Sequence, residues 1–99
     1  MGHIQLRRYT IEPGRFDDFL EFWRGLLPIR EQYGYRVLFA FVDREHNQFV
    51  WAVEHPDPLE VADPVYNNSP ERLEHVNTKN PRVVTNLVVS EVEPEVAWS

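Results

Sequence analysis

The chain has 99 residues, with 16 acidic against 10 basic side chains, a formal net charge of −6 and no cysteine. That length fits one domain over residues 1–99, and the acidic balance argues against nucleic acid as a partner. The missing thiols exclude disulfides and thiolate chemistry, and no apolar run approaches the roughly 20 residues that a membrane-crossing helix needs.

The opening MGHIQLRR lacks the apolar core of a secretory signal, so the expected location is cytoplasmic. Met1-Gly2-His3 reads as a tag remnant, and His3 is given no chemical weight. IQLRRYTI (4–11) predicts a first strand. Ile4, Leu6, Arg8 and Thr10 lie on one face, and Gln5, Arg7, Tyr9 and Ile11 on the other. Glu12-Pro13-Gly14 closes it. Phe16, Phe19, Leu20, Trp23, Leu26 and Leu27 then recur at helical spacing and form one apolar stripe. Asp17, Asp18 and Glu21 fall off the stripe, near the positive end of the helix dipole, as a solvated face. Pro28 lacks an amide hydrogen and should kink or restart the helix, which continues to Tyr33 and stops at Gly34.

YRVLFAFV (35–42) is a second strand, apolar on both faces apart from Arg36. A polar loop, Asp43 to Asn47, joins it to FVWAVE, so these two strands form a hairpin. Asp57-Pro58-Leu59-Glu60 reads as a helix start, with Asp57 as N-cap and Glu60 completing a capping box. Pro64 breaks or bends that helix early. Ser69-Pro70-Glu71-Arg72 repeats the start signal and predicts a short helix over 70–76. RVVTNLVV (82–89) is the last strand, and residues 91–99 form an acidic tail whose Trp98 suggests docking.

The order β-α-β-β-α-β predicts an α+β, ferredoxin-like fold, a four-stranded antiparallel sheet with its helices on one face. Phe49, Trp51 and Val53 alternate with Val50 and Ala52, so the third strand is apolar on both sides. Helices cover only one side. An uncovered apolar face of several hundred Å² is unusual on a monomer, and a tail of nine mostly polar residues is too small to tile it. A homodimer packed sheet to sheet is therefore expected.

Leu6-Arg7-Arg8-Tyr9 followed by Pro13-Gly14, together with the FVW strand, resembles the NIPSNAP-type members of the dimeric α/β-barrel superfamily. The likeness runs through LRRYTIEPGRFDDFLEFW, YGYRVLFAFVD, FVWAVEHP and ADPVYNNSPER, in one order over residues 5–72. It implies two ferredoxin-like subunits closing a shared barrel. It does not imply a single activity. Pro64 and Asn67-Asn68 depart from the family pattern, where a continuous aromatic-rich helix is usual, and are expected to reshape a pocket.

The resemblance also implies a small-molecule site between sheet and helices, with Gln5, Arg7 and Tyr9 on its side of the sheet. Phe49 and Trp51 would line it as substrate-binding residues, and Tyr66 and His75 would close it. Phe49 reads first as an ordinary core residue, and only second as a ligand contact. Arg7 and Tyr9 divide between a functional role and a plain one, in which Arg7 pairs with a nearby carboxylate and Tyr9 reaches water. An arginine beneath an aromatic layer needs an anionic partner, and a ligand can be that partner. His75 is the one histidine to weigh as a general base, against a surface histidine on a short helix. His46, His55 and His75 have no metal-ligand spacing, and no metal or other cofactor is expected.

Three functions compete. The first, implied by the resemblance alone, is a cofactor-independent enzyme of monooxygenase, isomerase or cyclase type on a small aromatic or polyketide-like molecule. Arg7 would hold an anion or enolate oxygen, Tyr9 would donate a proton and His75 would move one. The second is a non-catalytic dimeric ligand-binding or interaction module. The third is single-stranded RNA binding on an open aromatic sheet, which the acidic charge disfavours.

Overall fold

The computed structural model describes residues 2–96. Strand β1 (His3–Ile11) leads to helix α1 (Phe16–Gln32), strand β2 (Arg36–Asp43) and strand β3 (Gln48–His55). Helices α2 (Leu59–Asn67) and α3 (Pro70–Lys79) follow, then strand β4 (Val84–Val92). The sheet order is β2-β3-β1-β4, with every neighbouring pair antiparallel. This is the expected ferredoxin-like sheet, with two short helices in the second crossover.

Period-two alternation fixes the faces. Tyr9 pairs with Phe49, Arg7 with Trp51 and Gln5 with Val53. Phe49, Trp51 and Val53 point to the helices and are fully buried. Phe16, Phe19, Leu20 and Trp23 of the α1 stripe pack down on them, with Trp23 edge-on to both Phe49 (4.8 Å) and Trp51 (5.3 Å). Pro28 does not interrupt α1. Pro28 and Arg24 are both exposed, so the carbonyl left without a donor is open to solvent. Gly34, at φ 92°, ends the helix turn as expected, and His55 Nε2 donates to the Tyr33 carbonyl beside it at 2.8 Å.

Three boundaries differ from expectation. Pro58, not Asp57, occupies the cap position of α2, because the Asp57 amide donates to His55 Nδ1 at 3.0 Å and its side chain makes no cap. The next start signal holds: Ser69 Oγ accepts from the Arg72 amide at 3.2 Å, and α3 runs on to Lys79. Strand β4 begins at Val84, not residue 82. Arg82 has φ 57°, outside strand geometry, with its amide held by Asn80 Oδ1. β4 continues to Val92 and takes two residues from the expected acidic tail. Trp98 lies outside the described residues.

The second sheet face holds Phe39 and Phe41 of β2, Val50 and Ala52 of β3, Leu6 and Arg8 of β1, and Val88 of β4, as register dictates. Glu93 and Pro94 line a hollow of about 270 Å³ at one corner, with Ile4, Leu6, Phe39 and Ala52. Ile4 and Ala52 are buried there, but Phe41 is 65 % and Val88 47 % exposed.

Helices α1 and α3 touch where Gly25 faces the ring of His75, which lies stacked on Phe22 at 5.0 Å and donates Nε2–H to the Phe22 carbonyl at 2.8 Å. A Cβ on Gly25 would overlap that ring. Gly25→Ala is therefore expected to destabilise the fold despite alanine's helix-propensity advantage of about 1 kcal/mol. In a His75→Ala background the same change should stabilise by about that amount. Urea midpoints of the four proteins read the sign reversal.

Candidate functional site

Residues from β1, α1, α2, α3 and β4 enclose a cavity of about 290 Å³ between sheet and helices. Its apolar wall comes from Phe19, Phe22, Trp23, Leu26, Val84 and Leu87. Its polar wall holds Arg7, Tyr9, Arg30, Tyr66, Arg72 and Arg82, together with Asn80. Among the described residues that line it there is no carboxylate and no histidine.

The floor is ordered by a hydrogen-bonded row. Tyr35 Oη donates to Asp63 Oδ1 at 2.5 Å, and Gln5 Nε2 donates to Asp63 Oδ2 at 2.8 Å. Arg7 Nη1 donates to Gln5 Oε1 at 2.7 Å, and Arg7 Nε donates to Tyr9 Oη at 2.7 Å. The residues alternate along β1, so their side chains share one face and reach each other two apart. Arg7 thus has no direct carboxylate; Asp63 is one residue removed, through Gln5. The Tyr9 phenol accepts from Arg7 and keeps its own proton for another partner.

Arg30 sits at the far end of the α1 stripe, seven residues after Trp23, and is only 4 % exposed. Its guanidinium lies over the rings of Tyr66 (4.1 Å), Tyr35 (4.7 Å) and Trp51 (5.3 Å). Its Nε and Nη1 have no hydrogen-bond acceptor. Burial lowers its pKa from the ordinary value and the neighbouring Arg7 cation adds to that, yet an arginine stays charged at neutral pH. Arg72 donates to the Asn67 carbonyl at 3.2 Å and lies 5.6 Å from the Tyr66 ring centre. The last carbonyl of α2 therefore ties an arginine to the cavity.

Of the seven residues picked from sequence, Arg7, Tyr9 and Tyr66 line this cavity. Gln5 is buried behind it and orients Arg7. Phe49 and Trp51 are not in its wall, because Trp23 and Arg30 from α1 lie over them. His75 is turned away. It borders a separate groove of about 490 Å³ with Arg15, Asp18, Glu21 and Lys79. No cluster of three or more metal-ligating side chains occurs among the described residues, and none of their helices is long and apolar enough to cross a membrane.

No family model and no curated protein matches this chain by sequence. Solved structures do match by shape. An uncharacterized NIPSNAP-like domain protein from Burkholderia xenovorans superposes with a TM-score of 0.78 at 20 % identity, covering 98 % of this chain and 87 % of that one. A NIPSNAP family protein with unknown function from Agrobacterium tumefaciens gives 0.79 at 13 % identity, covering 94 % and 87 %. The chain has the NIPSNAP-type fold. A putative antibiotic biosynthesis monooxygenase from Bacteriodes thetaiotaomicron shares it at a TM-score of 0.73 and 17 % identity, covering 96 % of this chain and 90 % of that one.

Two residues of this site escaped the sequence reading. Arg30 continues the α1 stripe at a full two-turn step, and that position was its only signal. Asp63 follows Leu59 by four residues and precedes Tyr66 by three, which puts it on the inward side of α2.

Burial, followed by the bond to Asp63, raises the Tyr35 pKa above that of a free tyrosine. The group is neutral in the fold and ionises more readily unfolded. Its contribution to stability is therefore complete below about pH 10 and is lost as pH rises beyond. Urea midpoints measured from pH 8 to 11 should fall above about pH 10, and Tyr35→Phe should flatten part of that slope.

Proposed function

We propose that the protein binds a small aromatic or polyketide-like molecule in this cavity and, as a homodimer, acts on it as a cofactor-independent enzyme of monooxygenase, isomerase or cyclase type. One observation carries the reading. Among the described residues, five buried side-chain polar atoms lack a hydrogen-bond partner: Trp23 Nε1, Arg30 Nε, Arg30 Nη1, Trp51 Nε1 and Tyr66 Oη. All but Trp51 Nε1 belong to residues of the cavity wall. Native interiors satisfy nearly all such atoms, so a cluster of exceptions around one space is what a ligand's polar groups would complete. The shape likeness to a putative antibiotic biosynthesis monooxygenase supports the reaction class.

Reactions of this class pass through a substrate enolate or phenolate, and what they ask of a protein is a hold on the developing oxyanion. Tyr9 offers its phenol proton to such an oxygen. The Arg7 bond to the same phenol stabilises the charge that moves onto it, and the Gln5–Asp63 row holds Arg7 in place. His75 has no part in this arrangement. The cavity's lack of any carboxylate or histidine favours a second reading, a binding module of the same ligand without turnover.

A second copy is the proposed cover for the open sheet face. Phe41 and Val88, both largely exposed, lie on one register row with Val50 and Arg8 between them. That row is apolar enough to favour association at ~25 cal/mol per Å² buried. Sedimentation equilibrium at micromolar concentration is expected to give twice the 11.8 kDa chain mass. Phe41→Lys should return a folded monomer.

Mass spectrometry under native conditions, run on the purified protein, searches for a carried small molecule. Once that molecule is in hand, Tyr9→Phe and Arg7→Met should each lower turnover by about 100-fold with the thermal midpoint and dimer mass preserved. Binding retained with no turnover in the unaltered protein selects the binding module. Loss of folding in both variants assigns the pair a structural role.

A further inference from the structure

The cavity's charge is out of keeping with the molecule around it. The chain as a whole carries −6, yet four of its ten basic residues, Arg7, Arg30, Arg72 and Arg82, line one space whose described lining residues include no acidic side chain. Elsewhere the pairing is ordinary: Arg15 holds Asp18, Arg36 holds Glu54 and Arg44 holds Asp17, at 2.7 to 2.9 Å. Among the described residues, none of the four cavity arginines makes an ion pair. Arg30 is the extreme case, 96 % buried, with two N–H-bearing nitrogens unpartnered and another arginine as its charged neighbour. Three aromatic rings offset part of the cost of burying that cation, but a ring face does not accept the hydrogen bonds of a planar guanidinium edge. A buried, unpaired charge is expensive, and a structure that keeps one has a partner for it.

We infer that the ligand of this cavity is a small aromatic acid, its carboxylate received by Arg30 and Arg7 and its ring by Phe22, Trp23, Leu26 and Leu87. The inference rests on the small-molecule reading above and narrows it. Burial increases from the exposed Arg82 through the half-buried Arg72 and Arg7 to Arg30, so the positive charge forms a graded path inward that draws anions. A volume near 290 Å³ is at the small end of ligand pockets and limits the body to one ring or two fused rings.

The test uses the full chain and three matched probes by isothermal titration: 1-naphthoate, neutral 1-naphthamide and cationic 1-naphthylmethylamine. Naphthoate should bind about tenfold tighter than the amide, or more, and the amine weakest, since a hydrogen bond to a charged group is worth about that ratio. Arg30→Met should erase the preference for naphthoate while leaving the amide's affinity within about twofold. Arg72→Gln, at a half-buried position that does not threaten folding, should weaken naphthoate severalfold and leave the amide unchanged, which keeps the test decisive if Arg30→Met fails to fold. Equal affinity for acid and amide overturns the anion inference and leaves the ligand cavity standing. Naphthoate binding unchanged in both arginine variants does the same. Failure of all three probes to bind at millimolar concentration overturns the cavity reading and this inference together.

Discussion

Trp51 organises the helix side of the molecule. Its side chain is fully buried at the centre of the sheet, and two α1 side chains depend on it directly. Trp23 meets its ring edge-on, and the Arg30 guanidinium lies over it two helical turns later. With those contacts fixed, α1 has one height and one rotation above the sheet. Leu26 must then face the space beside β4, and Arg30 must enter a layer of Tyr35 and Tyr66. The cavity is what remains between this arrangement and α3. Aromatic pairs of this kind contribute about 0.5–1.5 kcal/mol beyond their buried area, but here their geometric effect matters more than their energy.

The sheet was legible because its signal is periodic and local. Alternation along β1 and β3 gave the face of every residue from Gln5 to Tyr9 and from Phe49 to Val53, and the register bears this out. The α1 stripe was legible for the same reason. What escaped was set by contacts distant in sequence. The Glu12 amide bonds to the Val83 carbonyl, and Arg82 adopts a left-handed backbone on the way into β4, which no run of apolar residues announces. The sequence placed His75 on α3, but its direction depends on Gly25 of α1 leaving room for the ring.

The site was half legible. Alternation put Gln5, Arg7 and Tyr9 on one face of β1, and the resemblance placed that face, with Tyr66, at the site. Arg30 was missed because residue type and position disagreed: charge says solvent, the stripe says core. Such conflicts between local chemistry and global position cluster at functional sites, where burial of a costly group is retained for what it does. Phe49 and Trp51 take their other reading, that of core residues. They look like ligand-binding aromatics in one dimension, but the side chains of α1 reach them first. Asp63 gives the floor its rigidity, since one carboxylate fixes Tyr35 and Gln5, and Gln5 fixes Arg7.

The strand order has a consequence for how the molecule is made. β1 lies between β3 and β4, so one side of β1 is hydrogen-bonded by a strand that is synthesised only after both crossovers and the hairpin between them. Until Val84–Val92 emerges, the edge that carries Gln5, Arg7 and Tyr9 is bare and the cavity lacks its Val84 and Leu87 wall. A chain stalled before that point holds a nearly complete aromatic core beside an open strand edge, a state inviting capture by a neighbouring chain. Completion of the pocket and protection of the nascent sheet are therefore one event, timed by β4.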